Sequence, residues 1–250
     1  MKTTQNTVLI TGGSAGIGFE IAKQLLTAGN TVIITGRNKE RLTAAANTLA
    51  GVHTFNGDIA DANDAAALVA YMQENFPQLN MVINNAGAAF LNNFVSDGQA
   101  YEKASAEMHT NYLSVIRLNE LLLPGLLLQP AATIVNVSSV AAFVPLLRVS
   151  SYSATKAALH SYTTALRAGL TGSNIRVFEL MPPLVNTAFS KGIDGHKGIS
   201  PTQVATEFMQ GLAEDNYEIR VGDTEALYHL YRSSPVDALQ VINETRHVVA

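Results

Sequence analysis

The sequence predicts an α/β fold: a doubly wound, mostly parallel seven-stranded sheet with helices on both faces, in a single domain. Three observations carry that expectation. Short apolar runs rich in valine and isoleucine alternate with helical patterns along the 250 residues. Several of the runs are apolar at nearly every position, as strands covered on both faces are. A glycine-rich turn, TGGSAGIG at 11–18, joins the first run to the first helical pattern.

The first strand is expected at 7–11, TVLIT. The helix after it, 17–29, puts Ile17, Ile21, Leu25 and Ala28 on one stripe and stops at Gly29. TVIITG at 31–36 is the second strand, and a helical stretch at 39–51 again ends in glycine. GVHTF at 51–55 is the third strand. The helix at 61–76 opens on a capping aspartate, Asp61 or Asp64, and ends before Pro77. MVIN at 81–84 precedes one long helical pattern, 97–128. TIVNVS at 133–138, a helix at 152–171, IRVFELM at 175–181 and a helix at 200–216 continue the alternation. A weaker strand, EIRVG at 218–222, leads to a last helical stretch at 224–245, broken at Ser233-Ser234-Pro235. Repeated strand–helix–strand units give parallel strands through right-handed crossovers. No linker, repeat or low-complexity tract divides the chain. One domain is expected over 1–250, with a first half at 1–130 and a second at 131–250.

Composition narrows the functional classes. Hydrophobic residues make up 47% and charged residues 14%, enough for a large core and for further burial between subunits. The net charge of −4 and the lack of any Lys/Arg cluster argue against a nucleic-acid partner. There is no cysteine, hence no disulfide or thiolate metal site, and the six histidines show no ligand spacing, so no metal is expected. The polar start MKTTQN does not read as a signal peptide. The most apolar stretch, 118–130, contains Glu120 and Pro124 and is too short to span a bilayer. A cytoplasmic protein with no membrane partner is the expectation.

The glycine turn has a chemical reading. A strand must turn sharply into a helix there. Gly12 can adopt backbone angles closed to other residues. Gly16 lets a ligand approach the main chain, and Gly18 lets the helix pack tightly on the sheet. The helix N-terminus then presents free N–H groups and a positive dipole end to a pyrophosphate. The spacing is GxxxGxG, not the commoner GxGxxG, and the glycines alone also fit a tight turn without a ligand. The strand–turn–helix setting favours the dinucleotide.

Four further motifs follow in order: NNAG at 84–87, NVSS at 136–139, YSATK at 152–156 and MPPLVNT at 181–187. With TGGSAGIG in front, the chain resembles the short-chain dehydrogenase/reductase family in its roughly 250-residue form, over positions 7 to about 190. The resemblance implies a Rossmann-like NAD(P)-dependent carbonyl reductase or alcohol dehydrogenase. It implies Tyr152 as proton donor or acceptor, Ser139 as hydrogen-bond partner of the substrate oxygen, and Lys156 as holder of the nicotinamide ribose. Asn111 matches the family's fourth catalytic residue, whose main chain holds a water linked to the lysine. The cofactor contacts implied are Gly12, Ser14, Gly16, Ile17, Gly18, Arg37, Asp58, Ile59, Asn85, Ala86, Gly87, Tyr152, Lys156, Pro182, Val185 and Thr187. Asn84 ties its strand to neighbouring segments in the family. Asp58 matches the position that meets the adenine amino group.

The residues support this chemistry independently. Tyr152 and Lys156 lie four apart in a helical pattern and share a face. Reducing a ketone needs a hydride on carbon and a proton on oxygen. A tyrosine titrates near 10, and a nearby ammonium favours its phenolate. Lowering that pKa by about three units would take roughly 4 kcal/mol, which Lys156 and a positively charged oxidised nicotinamide supply together. At the end of the second strand Gly36 stands where NAD-preferring folds carry an acid, and Arg37 follows. An acid would repel a 2′-phosphate and an arginine holds it, so NADP(H) is expected over NAD(H). Ser138 competes with Ser139 for the serine role, and His160 reads as packing or surface.

The chain departs from the family where Pro182-Pro183 replaces Pro-Gly, which puts the local path beside the nicotinamide in doubt. Pocket walls are expected at 88–98, 140–151 and 184–199. Phe143, Val144, Leu146 and Leu147 make the middle one apolar, which suits a hydrophobic carbonyl or alcohol substrate or a subunit interface. Arg148 is a candidate for an anionic group. The segment 189–198 reads as a mobile lid. The tail beyond 222 covers the pocket or mediates assembly. Leucine-rich helices at 97–128 and 152–171 suit a homodimer or homotetramer. The competing expectation is a non-catalytic NADP(H)-sensing protein of the same fold.

Overall fold

In a computed structural model, which describes residues 2–96 and 98–244, the seven expected strands form one sheet. Asp97 of the first expected wall and positions 245–250 of the tail lie outside the described residues. The strands are β1 (Thr7–Ile10), β2 (Thr31–Gly36), β3 (His53–Asn56), β4 (Met81–Asn84), β5 (Ala132–Val137), β6 (Ile175–Met181) and β7 (Glu218–Arg220). Their order is β3-β2-β1-β4-β5-β6-β7, and every neighbouring pair is parallel.

Both faces are covered. On one, Ile21 and Leu25 of α1 (Gly16–Thr27), Leu42 of α2 (Lys39–Thr48) and Val204 and Phe208 of α7 (Pro201–Ala213) pack on Val8, Ile10, Ile34 and Phe178. On the other, Leu68 and Met72 of α3 (Ala62–Asn75) and Leu118 and Leu122 of α5 (Ser114–Leu127) pack on Leu9, Ile33, Val82 and Val177. Each such side chain, fully withdrawn from water, contributes about 1.5–3 kcal/mol. The strands of the centre therefore alternate between two largely apolar layers, each covered by helices.

The helix expected at 97–128 is three pieces. α4 (Ala100–Met108) and α5 are joined by a single π turn, His109–Leu113, in which the Ser114 N–H donates to the His109 carbonyl. α6 (Ser150–Gly169) starts two residues before its expected limit, and α8 (Thr224–Ser233) and α9 (Pro235–Glu244) divide at the anticipated proline. A third apolar cluster joins these last two helices to the chain after β5: Ala238 and Ile242, with Leu227 and Tyr231, pack on Val140, Phe143, Leu146 and Val149.

Candidate active site

Chain order reverses at β1, whose neighbours β2 and β4 leave in opposite directions, so a crevice opens at the carboxyl ends of the strands. A cleft of about 550 Å³ lies there. Every residue implied as a cofactor contact lines it except Gly18, which lies beneath it; Ser139 also lines it, and Asn111 lies behind it.

The turn after β1 forms its floor. Gly12 has φ +67°, and a Cβ there would stand 2.9 Å from Ala86 Cα. Gly18 lies so close to the NNAG segment that its Cβ would meet Asn85 Nδ2 at 2.5 Å and the Gly12 carbonyl at 2.8 Å. Thr11 fixes the same junction: its hydroxyl accepts the N–H groups of Asn85 and Ala86, each at 3.0 Å. Sequence reasoning misses Thr11, whose place at the head of the motif is the only signal of its role. α1 opens from Ala15 with no side-chain cap and no acid in its first turn. Its first N–H groups thus have no side-chain acceptor, and the dipole end faces the cleft, which fits an anionic pyrophosphate. Gly12→Ala combines a left-handed backbone with a steric conflict. It is expected to cost about 2 kcal/mol, or roughly 4–8 °C in a thermal melt, and to weaken dinucleotide binding measured by fluorescence titration.

The proposed catalytic side chains come from β5 and α6. Ser139 is the second residue after β5; its hydroxyl accepts the Ala141 N–H at 3.1 Å and shares a hydrogen bond with the Tyr152 hydroxyl. Ser138 points away into the protein, so of the two serines only Ser139 reaches Tyr152. Lys156, one turn beyond Tyr152, is 4% exposed and donates to the Val137 carbonyl at 2.8 Å; its Nζ stands 5.5 Å from the Tyr152 ring centre.

Burial dominates the electrostatics. It pushes Tyr152 up to about 12, opposed by the Ser139 hydrogen bond and assisted by the negative charge of Glu107. It pulls Lys156 down to about 8, against the charge of Glu179. The spacing of tyrosine and lysine suggests a lowered tyrosine pKa. The opposite holds, because burial disfavours the phenolate more than the Ser139 hydrogen bond favours it, and the charge of Glu107 adds to that effect. Tyr152 is therefore a protonated acid at neutral pH.

Asn111 sits in the π turn and is fully buried. Its side chain accepts the Ala88 N–H at 2.8 Å and donates to the Ala88 carbonyl at 2.8 Å and to Thr155 Oγ1 at 2.9 Å. It thereby ties the loop after β4 to α6 between Tyr152 and Lys156. Asn84 acts similarly in the layer below, donating to Asn119 and Asn136 at 3.0 and 2.9 Å. Glu107, one turn before Asn111, is buried and accepts the Phe90 N–H at 2.6 Å; burial raises its pKa. Nothing in the local sequence pattern singles it out.

At the far end, Gly36, Arg37, Asn38 and Arg41 line the cleft beside Ser14. Arg37 pairs with Asp58 at 3.4 Å, with side chains 63% and 33% exposed. Such an exposed pair holds its partners weakly. Asp58 also accepts the Ala60 N–H at 3.0 Å, so it is a turn residue as well as a wall of the cleft. Asn38 caps α2 by accepting the Arg41 N–H at 2.7 Å.

Leu146, Pro183, Leu184, Phe189 and Ile193 give the end near Tyr152 an apolar lining, and the rings of Phe189 and Tyr152 lie 5.9 Å apart. Phe143 and Val144 do not line the cleft. Phe143 packs instead against Tyr228 of α8 at 4.9 Å and His160 at 5.2 Å, so Phe143 and Val144 are core beneath the tail, while Leu147 is exposed and does not line the cleft either. The tail supports this wall from behind: Asn243 accepts the Leu147 N–H at 3.0 Å and donates to the Pro145 carbonyl at 3.1 Å. Arg148, a candidate for an anionic group, donates to the Gly192 carbonyl at 2.9 Å and pairs with Asp194 at 3.4 Å. It pins the segment expected as a lid, which forms two short 3-10 turns, Lys191–Ile193 and Gly195–Lys197. The two prolines remain in the cleft wall, and the Pro182 carbonyl accepts the Val140 N–H at 3.0 Å. No described helix is long and apolar enough to cross a membrane.

Comparison with known proteins agrees with the fold. A family model described as short chain dehydrogenase matches residues 6–198. A Bacillus subtilis (strain 168) protein named uncharacterized oxidoreductase DltE is 41% identical over 232 residues, covering 91% of this chain and 92% of its own. A short chain dehydrogenase from Burkholderia cenocepacia J2315, solved in complex with NADP, superimposes with a TM-score of 0.84 at 24% identity, over 96% of this chain and 98% of that one. A short chain dehydrogenase/reductase from Burkholderia phymatum, solved in complex with NAD, gives 0.86 at 20% identity over 100% of both chains.

Proposed function

Because the chain belongs to the short-chain dehydrogenase/reductase family and is thus an NAD(P)-dependent oxidoreductase, we propose that it transfers hydride between NADP(H) and an apolar carbonyl or secondary alcohol. The observation that carries this reading is the single cleft in which Tyr152, Ser139 and Lys156 open onto the glycine turn. The bound dinucleotide would supply or accept the hydride. The first-turn N–H groups of α1 would hold its pyrophosphate, and Arg37, with Arg41, would hold the ribose 2′-phosphate. Ser139 Oγ fixes the substrate oxygen. Tyr152 Oη, protonated at neutral pH, gives its proton to that oxygen as negative charge develops there. The Lys156 ammonium stabilises the phenolate left behind, and the Asn111 turn leads replacement protons in from solvent. Apolar walls at Leu146, Leu184, Phe189 and Ile193 exclude water and favour substrates with an alkyl or aryl body.

The test is a panel of aldehydes and ketones with NADPH and NADH, followed at the nicotinamide absorbance band. Turnover of apolar members with NADPH is expected. Tight NADPH binding with no turnover of any member would instead favour the cofactor-sensing alternative.

A further inference from the structure

A buried acid that the proposed reaction does not use lies behind the catalytic pair. Glu179, in β6, is fully buried. Both of its oxygens are engaged: the Ser138 hydroxyl donates to Oε1 at 2.5 Å, and His160 Nδ1 meets Oε2 at 2.9 Å. Both partners adjoin the site. Ser138 precedes Ser139, and His160 follows Lys156 by one turn on the same face of α6. In the sheet Glu179 is in register with Asn136, next to Val137, whose carbonyl takes the Lys156 proton donor. An uncompensated carboxylate at such a depth is costly, and a lysine 4% exposed is costly too. The charge of Glu179 acts on Lys156 and offsets part of that cost.

We propose that Glu179 is a positioning residue for the catalytic centre: clamped by Ser138 and His160, its carboxylate keeps the Lys156 ammonium charged and sets the pH range over which that charge is available. The proposal rests on the oxidoreductase reading, but its first test does not require turnover.

The electrostatic direction agrees. Burial pulls Lys156 down, and the negative charge of Glu179 pulls it back up. Beyond the His160 partner of the carboxylate, the charged groups that act on His160 are Arg167 on α6 and Glu218 at the start of β7. His160 is raised chiefly by its hydrogen bond to Glu179, with smaller effects from Glu218, which raises it, and Arg167, which lowers it. Arg167 is held by the Val177 carbonyl at 2.8 Å and by Glu218 at 3.4 Å, and Arg220 by Glu218 and Glu225. His160, with its side chain 30% exposed, is the outlet of the cluster, so acid adds a cation on the solvent side of Glu179 and weakens its hold on Lys156.

Glu179→Gln keeps the shape and removes the charge. In full-length protein with carbon-labelled lysine, the Lys156 Cε resonance, assigned with Lys156→Arg, reports the midpoint by NMR. The midpoint is expected to fall by about one pH unit in Glu179→Gln. His160→Arg, at a partly exposed position, sets a permanent cation on the same carboxylate and should lower it in the same direction even if the buried variant does not fold. The alkaline limb of the kcat/KM profile for carbonyl reduction should then move down by the same amount, with little loss at pH 6. An unmoved Lys156 midpoint in a folded Glu179→Gln or in His160→Arg overturns the proposal. So does a pH-independent loss of activity, which marks a merely structural role. Absence of turnover in the unaltered protein counts against the oxidoreductase reading and leaves the NMR result to decide on Glu179.

Discussion

Tyr152→Phe is expected to lower kcat/KM for carbonyl reduction about 10³-fold, with the NADPH dissociation constant changed by no more than about two-fold. The substitution removes one oxygen. The ring keeps its contact with Phe189 and its place in the wall of the cleft. The hydroxyl is the group placed for proton donation: it is hydrogen-bonded to Ser139, burial raises it to about 12 so that it keeps its proton at neutral pH, and the Lys156 ammonium, 5.5 Å from the ring centre, offsets the cost of the phenolate that forms. Ser139 has no base beside it and does not replace the lost proton donor. Lys156 gives one of its three N–H groups to the Val137 carbonyl at 2.8 Å. Steady-state rates with the best substrate of the panel, together with a fluorescence titration of NADPH, check the expectation. Activity within tenfold of the unaltered chain would mean that the proton comes from elsewhere, and equal losses of activity and of NADPH affinity would mean that the tyrosine serves binding.

The second large effect concerns the choice of coenzyme. Gly36→Asp combined with Arg37→Ser is expected to reduce the ratio of kcat/KM with NADPH to that with NADH by at least about 100-fold, since a charge-assisted hydrogen bond is worth about 1.5–3 kcal/mol and a carboxylate in its place repels phosphate. There is room for the new side chain only because the nearest neighbours yield: a Cβ at position 36 would stand 3.1 Å from Ser14 Oγ, which rotates, and 3.6 Å from Leu42 Cδ1. The pairing of Arg37 with Asp58 does not oppose phosphate binding, because both side chains reach solvent and the gap is 3.4 Å. An unchanged ratio would remove Arg37 from the recognition of the phosphate and leave Arg41 or the α2 N-terminus as its holder.

Much of this is legible in the chain. The bounds of β2, β4 and β6 agree with the sequence reading because each is a dense apolar run between clear stops. β3 begins two residues late. It is an edge strand with mostly exposed side chains, and Gly51, at φ +83°, belongs to the turn before it. The π turn at Asn111 leaves no trace in the hydrophobic pattern, since the helices on either side keep their apolar stripes and one inserted residue rotates the register only locally. From sequence, Phe143 fits a pocket wall or a subunit interface. Its true surroundings, Tyr228, Tyr231 and His160, lie far along the chain, and no local pattern encodes such a meeting.

The sequence by itself determined the parallel sheet, the dinucleotide turn and the set of polar groups that belong together, because period, glycine placement and motif spacing are local properties of the chain. The folded structure alone decided the state of those groups. Whether Tyr152 holds its proton and what keeps Lys156 charged depend on burial and on residues brought in from other strands, and solvation is a property of the assembled core.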